Sequence, residues 1–115
     1  MGPDAALGLA ALSVEDLAAL RLSAQVMAHR AALAGMPRVE LFFERLEAEA
    51  DAEAAARGQR GARPEGGSNP WRAAGLTDAD RTAIYEHVGL LAGNAGLPQQ
   101  VRDYARRLIA AGDLS

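Results

Sequence analysis

Few side chains in this 115-residue sequence could carry chemistry, and their spacing decides what they could do. There are two His, His29 and His87, and no Cys. Without thiols, disulfide scaffolds and thiolate metal sites are excluded. Glu40, Glu44, Glu47 and Asp51 recur at i, i+4, i+7 and i+11, which sets them along one stripe of a helix. Di-iron bundles use carboxylates from several helices together with Glu-x-x-His pairs. Neither His here has a Glu three residues before it. The acidic stripe also lies away from the apolar face of Val39, Phe42, Phe43, Leu46 and Ala50, so a solvated charged face accounts for it. No metal, cofactor or catalytic residue is assigned.

The remaining polar candidates are weaker. Tyr85, Glu86 and His87 are consecutive, and neighbours on a helix point in different directions. They cannot converge on one substrate without another element, and no nucleophile–base–orienter set can be drawn from them. His29 sits beside Val26 and Leu33. It could act as a base or a pH-sensing group at an interface, or simply hold a polar tip at the edge of a packed surface.

Basic residues offer a nucleic-acid reading. Arg57, Arg60, Arg63 and Arg72 punctuate a Gly/Pro-rich stretch, with Arg102, Arg106 and Arg107 further on. Arg60, Arg63, Arg72, Arg102, Arg106 and Arg107 are the candidate phosphate contacts. Against this, the chain is acidic, with a pI of about 5.3. The link from Gly93 to Pro98 is of helix-turn-helix length, but the helix after it lacks Asn or Gln on its outer central face for reading bases. All twelve basic residues are Arg and none is Lys, a bias expected of a high-GC bacterial coding sequence. Trp71, the single Trp, is either a lid docked on the core or an exposed anchor. With Tyr85 and Tyr104 it forms the candidate set for binding a partner protein.

What positions these residues is helix throughout. Ala, Leu, Arg and Glu dominate, and no run of alternating β-branched residues occurs. Ser13-Val14-Glu15-Asp16 resembles a capping box, and Gly35 suits the left-handed position that ends a helix. Pro37 stands where a second helix would begin. That helix is expected to run to about Arg57, with Gly58 as its stop. The connection is short, so residues 13–57 form an antiparallel αα-hairpin. Residues 58–70 hold four Gly and two Pro and read as a mobile linker. A second hairpin spans 77–112. Thr77 to Asp80 resembles another capping box, Ile84, Val88 and Leu91 give one inner face, and Val101, Tyr104, Ala105 and Leu108 give the other. Gly112 is expected to close the last helix. The fold class is thus all-α, a small bundle of two antiparallel hairpins joined by a Gly/Pro/Arg linker.

The first helix carries the strongest signal. At about 100° per residue, Leu17, Leu20, Ala24, Met27 and Ala31 share one face, while Leu22, Val26 and Leu33 share another roughly 170° away. A helix with two apolar stripes needs two coverings. The second helix can supply one. The apolar residues of the second hairpin are largely used on each other, so a second copy of the chain is expected to cover Leu22, Val26, His29 and Leu33. The functional expectation is a non-enzymatic interaction or regulatory module acting as a homodimer. A nucleic-acid-associated regulator is the alternative, and a small helical enzyme with an unassigned site ranks third.

Charge is uneven: residues 1–56 carry nine acids against four Arg, a net of −5, and residues 57–115 carry eight Arg against six acids, a net of +2. The apolar run Ala5–Leu12 is too short to span a bilayer, no basic leader precedes it, and Ala6 stands where myristoylation wants a hydroxyl. A cytoplasmic protein without membrane attachment is the expectation.

Overall fold

A computed structural model describes Leu9, residues 12–58, Trp71 and residues 75–113. Four helices follow one another: α1 (Val14–Leu33), α2 (Pro37–Gly58), α3 (Asp78–Ala92) and α4 (Gln99–Asp113). The fold is all-helical, a bundle of two hairpins, with no strand among the described residues. The stretch read as a linker lies largely outside the described residues, as do Arg60, Arg63 and Arg72.

Both expected capping boxes form. The Ser13 hydroxyl accepts from the Asp16 N–H at 3.0 Å, and the Ser13 N–H donates back to the Asp16 carboxylate at 3.2 Å. Thr77 and Asp80 make the same reciprocal pair at 3.1 and 3.0 Å. Each box satisfies N–H groups that a helix start leaves without partners. At the far end of α1, Gly35 adopts φ +73°. Its N–H donates to the Ala32 carbonyl, and the Met36 N–H reaches back to Ala31 at 2.9 Å. This pair of bonds is a Schellman motif, and its left-handed residue is why Gly stands there. Pro37 then opens α2 without losing a bond that would have formed.

One core unites the hairpins. α1 pairs along α2 and α3 along α4, and α3 also packs on α2 while α4 packs on α1. Leu17, Leu20, Ala24, Met27 and Ala31 from α1 meet Val39, Phe42, Phe43, Leu46 and Ala50 from α2. Ile84, Val88 and Leu91 of α3 and Val101, Tyr104, Ala105 and Leu108 of α4 complete the cluster. The second hairpin packs chiefly along its own two helices, as expected from sequence, and also joins the shared core. Its α4 meets the one buried face of α1, the face that α2 also covers. Phe42 and Phe43 are fully buried, their rings edge-on at 5.0 Å.

Two details differ from the sequence reading. α2 includes Gly58 instead of stopping before it. Gly112 does not close α4, which continues to Asp113. Its lack of a side chain serves packing: a Cβ there would lie 2.6 Å from the Trp71 ring and 2.8 Å from the Tyr85 ring.

Candidate interaction face

The two stripes of α1 have opposite fates. Leu17, Leu20, Ala24, Met27, Ala28 and Ala31 are buried. On the other side Leu22 is 54%, Val26 55% and Leu33 77% exposed. His29 lies among them and is exposed as well. These four positions share one face because their spacings of 4, 3 and 4 residues return close to the same angle at each step. Nothing among the described residues covers them. An apolar row on a solvated helix face forfeits the free energy of burial, about 25 cal/mol per Å² of apolar surface.

Trp71 lies at the opposite pole of burial, 2% exposed. Its ring packs 4.8 Å from Phe42 and 5.2 Å from Tyr85. Its indole Nε1–H donates to the Leu108 carbonyl at 2.8 Å, which satisfies the one polar group a buried Trp carries. Arg81 stacks over the ring at 5.7 Å and donates to the Gly112 carbonyl at 3.3 Å. Together these contacts tie the segment before α3 to the end of α4. Tyr104 is also buried, at 2% exposure. Desolvation holds its phenol pKa well above the ordinary tyrosine value, and the nearby Glu49 carboxylate pushes the same way against Arg107. Of the two readings of Trp71, the one docked on the core matches its burial, and of the three aromatics proposed for a partner only Tyr85 keeps part of its ring at the surface. Trp71 and Tyr104 are core residues, and Tyr85 is half-buried against Trp71. The aromatic scarcity of the chain explains this placement, since an Ala-rich core needs its few large rings inside to fill volume.

The other polar candidates do not assemble. Tyr85 turns to Trp71, and His87 lies 5.8 Å from Phe43 with its Nδ1 2.7 Å from the Ala83 carbonyl. Glu86 is exposed. Glu44, Glu47 and Asp51 line a shallow polar depression with Arg21 and Ala48. Arg21 thus brings a counter-charge to the acidic stripe that sequence inspection of α2 alone does not reveal. Among the described residues no group of three His, Asp or Glu is placed to hold a metal ion. No described helix is long and apolar enough to cross a membrane.

The three candidate phosphate contacts within the described residues are engaged inside the chain. Arg106 pairs with Asp103 at 2.8 Å, Arg102 donates to the Gln99 side chain at 2.9 Å, and Arg107 stacks on the Tyr104 ring at 5.7 Å. The packing roles of Arg81 and Gly112 had no local signal in the sequence. Their roles depend on Trp71, which is distant along the chain. No protein-family model, curated protein or solved structure matches this chain.

Proposed function

We propose that this protein is a non-enzymatic interaction module that works as a homodimer joined through α1. The observation that carries the reading is the bare stripe of Leu22, Val26 and Leu33 on a helix whose opposite face is fully packed. Contiguous apolar surface of this kind marks interaction sites. A second copy is the occupant, because a two-fold axis across a helix lets one stripe cover the other with no further element. Among the described residues no catalytic constellation is assembled, and Arg102, Arg106 and Arg107 each make a contact within α4.

Sedimentation tests this directly. The unmodified protein at tens of micromolar should run as a dimer, and Val26→Glu should run as a monomer with unchanged helical content. A clean monomer from the unmodified protein at that concentration overturns the reading.

A further inference from the structure

Resting on the homodimer reading, the spacing along α1 goes further and selects one arrangement of the two copies. Around the bare stripe, Glu15, Ala19, Leu22, Val26, His29 and Leu33 follow one another at intervals of 4, 3, 4, 3 and 4. This is the a/d alternation of a helical seam, with Ala19, Val26 and Leu33 at a and Glu15, Leu22 and His29 at d. All but the half-buried Ala19 are exposed.

Polarity breaks the choice between parallel and antiparallel. Parallel, in-register helices would set Glu15 against Glu15 and His29 against His29 of the other copy, placing two like or polar pairs inside the seam. Antiparallel helices pair each a position with a d position. With the axis at residue 24, Leu22 meets Val26 of the second copy, Ala19 meets His29, and Glu15 meets Leu33 at the rim. The charges flanking the seam agree. α1 carries Glu15 and Asp16 in its first turn and Arg30 in its last. Antiparallel pairing brings Asp16 and Arg30 of opposite copies together twice, at positions that flank the seam on the same side. It also sets the positive end of each helix dipole beside the negative end of the other. We infer that two copies join as an antiparallel pair of α1 helices centred between Leu22 and Val26, sealed at both ends by the acidic first turn of one copy and Arg30 of the other.

Cysteine cross-linking reads this register, since the chain has no Cys of its own to interfere. Two variants are made in the full chain, Glu15→Cys and Leu33→Cys, both at exposed positions that leave the core untouched. In the antiparallel pair, like positions lie 18 residues apart along the axis, about 27 Å at the helical rise, far beyond disulfide reach. Each variant alone should therefore stay uncross-linked on mild oxidation. An equal mixture of the two should give a mixed disulfide dimer. Homodisulfides from each variant alone would show a parallel pair and overturn the register while leaving the dimer standing. Variants that sediment as dimers yet give no mixed disulfide would overturn the register also. Monomers throughout, including the unmodified protein, would remove the dimer reading and this inference with it.

Discussion

The two sides of α1 are built from similar residues and meet different ends. The packed side holds Leu17, Leu20 and Met27 with Ala24, Ala28 and Ala31 between them. The bare side holds Leu22, Val26 and Leu33 with His29 and polar neighbours. Hydrophobicity therefore does not separate them. What separates them is the neighbours: α2 and α4 pack against the first side, while nothing among the described residues packs against the second.

The largest effects should come from the packed side. Phe42→Ala removes a fully buried ring that touches both Phe43 and Trp71, and should cost about 3–5 kcal/mol in urea unfolding. A loss below about 1 kcal/mol would break the contrast by placing Phe42 outside the shared core. Gly112→Ala comes next. Its methyl would press on the Trp71 and Tyr85 rings, so about 1–3 kcal/mol should be lost and the Trp emission should shift to longer wavelength. Unchanged stability and emission would mean the rings yield freely there.

Tyr104 gives a pH-dependent version of the same comparison. Its folded pKa is raised above the unfolded value, so the folded chain favours the neutral phenol. The stabilisation is complete below about pH 10 and drains away as pH rises beyond it, by at most about 1.4 kcal/mol per pH unit. Tyr104→Phe should flatten that alkaline slope in unfolding curves taken from pH 9 to 12. An identical slope would assign the loss to other groups. The smallest effect should be Leu22→Ala on the bare side. At sub-micromolar protein its stability should stay within about 0.5 kcal/mol of the unmodified chain. The neighbouring Leu20→Ala should lose about 2–5 kcal/mol. Equal losses would erase the distinction between the two sides.

Local signals in the sequence translated well into structure. The two capping boxes, Gly35 and Pro37 act within a few residues of themselves, so Ser13, Asp16, Thr77 and Asp80 behave in the chain as their spacing demands. The inner faces of all four helices were equally readable, because periodicity states what must be buried. It does not state against what. The docking of the second hairpin on the already covered side of α1 was invisible for that reason, and so was the duty of Gly112, which looks like a helix stop until Trp71 is found beside it. The candidate face was legible as an unmet need for cover. Trp71 kept two readings from the sequence, docked or exposed, because a large aromatic ring fills a pocket equally well on either side of a surface.

Trp71 gives the molecule a built-in optical gauge. It is the single Trp of the chain, and its indole joins the segment ahead of α3 to the last turns of α4 through the Leu108 carbonyl. Each hairpin closes through contacts near in sequence, and such local contacts form quickly. The Trp contacts are long-range and must wait for both hairpins. In refolding, far-ultraviolet dichroism should recover ahead of the blue-shifted emission, so a single unmodified protein times the making of its hairpins and their union by two separate lights.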